Sequence, residues 1–455
     1  MSAPDKIKIK MLDKETYLSE QEKLRAAIML GLAGVEANPS SSQAYSAAKL
    51  KTIINNGLAP KYFEVGGTIT VKKMTTLTIA SSNAEVFVSV DEQAFIEGKS
   101  EALTKEYVFR YDGTNWKDEN NVSVSLAGYG ITIDSGTPVA DDEITVTEVA
   151  EDIVFDIAKC TEDEMILVAH ECKYSMQFDG AEALFAGANG EQLPAGKYKF
   201  VYSGNALAFT ATQPFYSVKF NDPPTSTTQK ATTYGNDGRS IESNLVLSSD
   251  VSDADYDLGT YESANSKANS IDRMRYGSND YLTSAIRQFI NSKAAKGQWW
   301  SPQHKWDLAP GNRNTMDGFL HGMDPSFIAI LDTPERIVKD NTTAWGGQGT
   351  RTYNTDKFYL LSNAEVNFNS EADEGSPLPL FNDMGRLSKN DNSSEQNALR
   401  KKTDGTSYVH WWLQTAYRSS AGYAYYVHSS GSRDYFNANI TIGVAPACRI
   451  KKATA

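Results

Sequence analysis

The sequence is poor in cysteine and histidine and has no long apolar run. Only three cysteines occur in 455 residues, Cys160, Cys172 and Cys448. They cannot all pair within one chain and none stands in a C-x-x-C spacing, which argues against a disulfide framework. They are expected to be buried small hydrophobes in a protein made in a reducing compartment. The five histidines, His170, His304, His321, His410 and His428, are scattered without metal-ligand spacing. His304 and His321 share a tryptophan-rich stretch with several carboxylates and are expected to be structural. No segment reaches the length of a membrane span, so membrane insertion is not expected. The opening MSAPDKIKIKMLDKE lacks an apolar signal core, so no signal peptide is expected. Basic residues (44) are outnumbered by acidic ones (57), for a formal charge of -13. A nucleic-acid partner needs a basic footprint, and none overrides that balance. No GxSxG, Walker loop or strand–helix GxGxxG is present, and no cofactor is expected.

What is present falls into an α+β pattern. Residues 1–56 read as a helical segment. Ser19 and Glu22 fit a capping box ahead of Leu24, Ile28 and Leu32, and a second helix carries Leu50, Ile53 and Ile54 before Gly57. Helices this short bury little by themselves, so the segment must pack on the rest of the chain, on sister chains or on a virion, and an anchoring role is expected over mere packing. Strand alternation begins at Lys61. Between Met74 and Ala150 it recurs at Thr76–Ala80, Val86–Val90, Tyr107–Tyr111, Val122–Leu126 and Ile144–Glu148, with Asp112–Gly113 as a hairpin signal. Residues 74–150 therefore read as a small β domain inserted into a larger one made of 57–73 and 151–455. Further strands are expected at 152–158, 165–169, 174–178, 198–202 and 207–211. A helix is expected over 279–293, with Leu282, Ile286, Phe289 and Ile290 on one face, and another from Asp324–Pro325. Trp299, Trp300 and Trp306 are expected to pack against Trp411 and Trp412.

The C-terminal stretch, residues 411–450, is the most distinctive. An apolar start, Trp411-Trp412-Leu413, and an apolar close, Gly443 to Ile450, enclose a segment rich in Tyr, Ser, Gly and Asn. Ser430–Gly431 marks a hairpin turn. Tyr gives a large amphipathic contact at low entropic cost, while small polar residues adapt their hydrogen bonds, as in antibody paratopes. An ordinary sheet edge would also be rich in Tyr.

The motifs WWLQ, YYVHSSGS and GVAPACRI resemble the closing segment of an uncharacterised domain family from phages and prophages of gut Firmicutes. The resemblance extends through RMRYGSNDYLTSAIRQFIN, GQWWSPQHKWD, DGFLHGMDPSFIAIL and DKFYLLSNAEV, over most of residues 270–450. That family is similar to C-type-lectin-like proteins, including formylglycine-generating enzymes and the target proteins of diversity-generating retroelements. YFEVGGTITVKK resembles the first strand pair of such a domain, and DGTNW and GITIDSG resemble segments of phage structural proteins. The resemblance implies a virion protein with a C-type-lectin-like C-terminal domain that binds without catalysis, because the enzymes' paired C-terminal cysteines have only Cys448 as a counterpart. The EPN-, QPD- and WND-like calcium motifs of sugar-binding relatives are absent, and the acidic loop Glu371, Asp373, Glu374 is expected to be solvated. The expected partners are other virion proteins through the N-terminal segment, a host-surface protein or glycan, and sister chains in a homotrimer. The expected ligand residues are Tyr417, Tyr423, Tyr425, Tyr435 and Phe436 as aromatic anchors. Arg418, His428, Arg433, Asp434, Asn437, Asn439 and Thr441 are the expected polar contacts. The alternatives are a purely structural head-decoration or fibre protein with no ligand of its own, and a hydrolase or oxidase on the lectin-like scaffold, for which the sequence offers no obvious set of convergent titratable groups.

Overall fold

Two antiparallel strands, Thr68–Ser81 and Glu143–Cys160, run through both apolar cores of the computed structural model, in register from Thr68↔Asp156 to Ser81↔Ile144. The structure describes residues 46–99, 105–181, 193–202, 205–215, 217–220, 230–234, 240–246, 250–261, 276–303, 307–339, 349–368, 374–382, 394–418 and 420–453. The expected helix with Leu24, Ile28 and Leu32 lies outside these residues, as do His304, Trp306, Glu371 and Asp373.

Alternation along the strand pair places Ile69, Val71, Ile153, Phe155 and Ile157 in the large core. Beyond a bulge between Met74 and Thr76, the same strands contribute Ile144 and Val146 to a second cluster with Phe95, Phe109, Leu126 and Ile131. Residues 74–150 thus have their own apolar cluster, joined to the large core by a continuous ribbon rather than by a loop. Gly322 fixes the junction. It has φ +75°, and a Cβ there would lie 2.5 Å from the Met74 carbonyl oxygen, which leaves room only for hydrogen. The helix Glu92–Lys99, which the sequence reading missed, buries Phe95 and Ile96, with Phe95 in the second cluster. Its Glu97 pairs with Lys293 at 2.5 Å and its Glu92 faces His321 at 3.3 Å.

The fold is mixed α+β with strands dominant. Glu143–Cys160 is flanked on its other edge by Lys105–Tyr111 above and Glu164–Ala169 below. Glu164–Ala169 continues to Ala447–Lys451 and Phe358–Tyr359. A second sheet has the order Arg433–Asn437, Tyr423–Val427, Trp411–Ala416, Thr441–Val444, Tyr174–Gln177. Its central strand, Trp411–Ala416, is buried at every position. The closing GVAPACRI crosses between the sheets. Pro446 stands between the two strands, where no ladder N–H is needed, and its carbonyl accepts from Ala169 N at 2.9 Å. Residues 193–261 add two three-stranded sheets, one around the stacked Tyr198 and Phe209.

Three expectations need correction. The helix Ala47–Asn55 does not lack a partner: Ala47, Leu50, Ile53 and Ile54 are buried in the large core. Lys51 Nζ also donates to the Lys451 carbonyl at 2.7 Å. The helix expected over 279–293 is a 3-10 turn, Tyr281–Thr283, followed by a short helix, Ala285–Ile290. Ser284 breaks it, donating to the Tyr281 carbonyl at 2.8 Å and accepting from Arg287 N at 3.3 Å, so that it caps a new start. The tryptophans share one core but pack on different rings: Trp299 on Phe289, Trp412 on Phe178 and Tyr426.

Burial pushes the Cys160 thiol up to about 11 and Cys172 to about 12, and Cys448 well above its ordinary value, consistent with unreactive apolar thiols. Among the described residues no helix is long and apolar enough to cross a membrane.

Candidate functional site: a two-faced C-terminal hairpin

The hairpin Tyr423–Val427 and Arg433–Asn437 forms the outer end of the second sheet, with Tyr425 opposite Tyr435 and Tyr426 opposite Asp434. Its root is anchored by Trp411 and Trp412. Their indole N–H groups donate to the carbonyls of Arg400 and Met176, each at 3.0 Å. The turn is docked rather than free. Gly431, at φ +88°, packs so closely on the helix Ser394–Arg400 that a Cβ would lie 1.8 Å from the Asn397 carbonyl oxygen. The loop from Tyr417 to Tyr423 is held by buried Asn279, whose Nδ2 lies 2.7 Å from the Ser420 and Tyr423 carbonyls and 3.2 Å from that of Tyr417.

Successive side chains of a strand point to opposite faces, and this separates residues that are adjacent in sequence. One face carries Tyr417, Tyr423, Tyr425, Tyr435 and Arg433. Tyr417 and Tyr435 stack at 4.2 Å with 14° between planes, Tyr425 meets Tyr417 edge-on at 5.6 Å, and Tyr276 stacks on Tyr423 at 5.8 Å. Tyr435 is 44% exposed, Tyr417 and Tyr423 are half-buried, and Tyr425 is buried. The expectation that Tyr425 is a solvent-facing anchor is therefore corrected. It is the floor on which the outer rings rest, because its partner strand and the Arg433 guanidinium, 5.0 Å from its ring centre, cover it. Arg433 also lies 6.0 Å from the Phe368 ring, and its Nη1 is buried without a hydrogen-bond partner among the described residues.

The opposite face carries Tyr426, His410, His428, Asp434 and Phe436. The two imidazoles lie 4.4 Å apart, Tyr426 is 5.2 Å from His410 and 5.7 Å from Phe436, and its hydroxyl donates to Asp434 Oδ2 at 3.4 Å. His428, Asp434 and Phe436 thus do not join the tyrosines. The single patch expected from sequence is two patches, back to back. Asn437 is half-buried opposite Tyr423. Asn439 and Thr441 have left the hairpin: Asn439 N donates to the Tyr276 carbonyl at 2.8 Å, and exposed Thr441 pairs with Gln177.

Behind the hairpin root lies a buried polar network. Arg336 holds Glu365, with Nη2 2.7 Å from Oε2, and also reaches the Leu360 carbonyl and Gln414. Glu374 is not a solvated loop acid as expected. It is buried, accepting from Thr415 Oγ1 and, at 2.7 Å, from Lys339 N. Burial pushes its carboxyl up to about 7, against the opposing pull of those hydrogen bonds and of the Arg418 and Arg336 charges. Half-buried Arg418 thus stands beside this network.

Sequence reading missed Tyr276, Asn279, His410 and Tyr426. Strand parity from Trp412 through Tyr426 would have separated Tyr426 from Tyr425 and grouped it with His410. No local signal could have brought in Tyr276 or Asn279, which lie more than a hundred residues earlier in the chain.

Residues 242–452, just under half of the chain, match the model of a family described as Domain of unknown function (DUF6273). No curated protein and no solved structure matches the chain. The matched segment includes both faces of the hairpin, the Asn279 clamp and the buried network behind them.

Proposed function

We propose that this chain is a binding protein of a phage particle, made in the host cytoplasm. In this reading a C-type-lectin-like domain presents the tyrosine face to a host-surface protein or glycan, without catalysis. The observation that carries the reading is the Tyr417–Tyr435 stack, in which exposed Tyr435 on the last strand of its sheet rests against half-buried Tyr417 above a buried Tyr425 floor. Rings held by their neighbours lose little entropy on binding, and aromatic and Arg side chains are the usual hot spots. The lectin-like assignment for 57–73 and 151–455, with 74–150 inserted, rests on the sequence motifs. It is supported by the first and last strands of that unit sharing one sheet. Residues before 46 would attach the chain to other virion proteins, and a trimer would multiply weak single-site affinity.

The test is adsorption of fluorescently labelled full-length chain to a panel of gut Firmicutes cells. Tyr435→Ala and Tyr423→Ala should lower binding by about tenfold or more, as expected for hot-spot rings, without unfolding the protein. Unchanged adsorption by folded variants refutes the reading. That result would favour the structural alternative, in which the outer strand Arg433–Asn437 accepts a strand from a neighbouring virion subunit.

A further inference from the structure

The face of the hairpin opposite the tyrosines is chemically different and has its own convergence of groups. His410 Nδ1 accepts the Ser429 amide at 2.9 Å, and His428 Nδ1 accepts the Ser430 amide at 3.1 Å. A backbone N–H can only donate, so each Nδ1 must present its lone pair, and the proton of each neutral imidazole sits on Nε2. The turn SSGS therefore fixes both tautomers. Both rings are half-buried, and neither Nε2 has a protein partner among the described residues. Burial and the neighbouring His428 hold His410 below its ordinary imidazole value.

Beside these donors stands a carboxylate. Asp434 is exposed; its Oδ1 accepts the Tyr435 amide at 2.8 Å and its Oδ2 the Tyr426 hydroxyl at 3.4 Å. Each carboxylate oxygen keeps acceptor capacity beyond one bond. Half-buried Phe436 completes the set with an aromatic surface 5.7 Å from the Tyr426 ring.

We infer that His410, His428, Tyr426, Asp434 and Phe436 form a second site, distinct from the tyrosine face, for a neutral sugar residue. Two fixed N–H donors and one carboxylate acceptor match a pair of neighbouring hydroxyls, each of which can donate and accept. The aromatic edge matches the C–H face of a pyranose. The competing chemistries fit less well. A metal ion would need an Nε2 lone pair, which the amides at Nδ1 deny, and no group of three or more His, Cys, Asp or Glu is placed to hold one among the described residues. An anion would meet the Asp434 charge, facing two imidazoles whose Nδ1 atoms accept backbone amides and so carry no proton there. The inference rests on reading the hairpin as a ligand surface, but its residues are not those on which the tyrosine face depends.

The experiment is saturation-transfer NMR of the full-length chain with methyl glycosides of glucose, galactose, mannose, N-acetylglucosamine and N-acetylgalactosamine. At least one should bind with a dissociation constant on the order of millimolar, the range of small ligands with few contacts. His428→Ala and Asp434→Asn should each weaken it at least several-fold, and Tyr435→Ala should leave it unchanged. Both substitutions are at accessible positions, so melting temperatures should hold. No transfer to any glycoside, or transfer indifferent to both substitutions, overturns the inference. So does saturable zinc binding that is lost in His410→Ala, because it would show the tautomers to be wrong. If glycoside binding fails while Tyr435→Ala still abolishes cell adsorption, only this second site falls. The reverse pattern removes the tyrosine face and leaves the sugar site.

Discussion

Replacing Glu374 by Gln should make the protein more stable at alkaline pH and nearly remove one component of its pH dependence. The carboxyl is buried behind Thr415 and Lys339 N, and its folded pKa is raised from 4.5 to about 7. A raised carboxyl pKa means that folding favours the protonated form. The stability it contributes is complete below about pH 4.5 and is lost as pH rises through about 7. A shift of that size corresponds to about 3 kcal/mol between the two limits, an order-of-magnitude figure for a buried group. Gln has similar shape, can accept from Lys339 N and cannot ionise, so the wild-type chain should lose ground to the variant as pH rises. The assay is urea unfolding of both full-length proteins at pH 5 and pH 8. Other titrating groups largely cancel in the difference. The wild-type stability relative to Glu374→Gln should fall by about 2.5 kcal/mol from the lower to the higher pH, the remainder of the span lying below pH 5. A difference that stays constant across this range refutes the placement of an ionisable, desolvated carboxyl at this position.

Three further outcomes follow from the packing. Tyr425→Ala removes a buried ring and should cost about 3–5 kcal/mol, whereas Tyr435→Ala, losing chiefly its stack on Tyr417, should cost about 1 kcal/mol; equal melting temperatures for the two would show that the hairpin faces are misassigned. Gly431→Ala forces a methyl group onto the Asn397 carbonyl at a left-handed backbone position, and should destabilise by about 2 kcal/mol or more; calorimetry showing an unchanged melting temperature would mean that the turn is not docked on that helix. A chain beginning at Leu58 loses Leu50, Ile53 and Ile54, each fully buried and worth about 2 kcal/mol; it should melt well below the full-length protein, and an equal melting temperature would make the helix a dispensable appendage.

Much of the fold was legible because local rules govern it. Alternation located the strands at 105–111, 164–169, 174–177, 196–202 and 205–211. Asp324–Pro325 announced its helix, and Ser430–Gly431 the hairpin turn. Hydrophobicity alone placed Trp411 and Trp412 in the core. The residue types of the candidate site were also visible, as a Tyr-, Ser- and Asn-rich stretch between two apolar ends. Their grouping was not. Composition treats Tyr425, Tyr426, Asp434 and Tyr435 as neighbours, but a strand turns each residue away from the next, and pairing decides which side chains meet across it. Burial was decided the same way: Tyr425 and Glu374 look like exposed residues in a polar stretch until Arg433, Thr415 and Lys339 are folded over them. The helix Ala47–Asn55 looked unpartnered because its cover, the strand Ala447–Lys451 and the helix Pro325–Ile330, lies hundreds of residues away. The sequence by itself determined most of the strands, the helix that starts at Asp324–Pro325 and which residue types gather near the C-terminus, since periodicity and turn chemistry act over a few residues. Only the tertiary structure decided that these residues form two opposed faces on a docked hairpin, since that depends on strand parity and on contacts that no local pattern records.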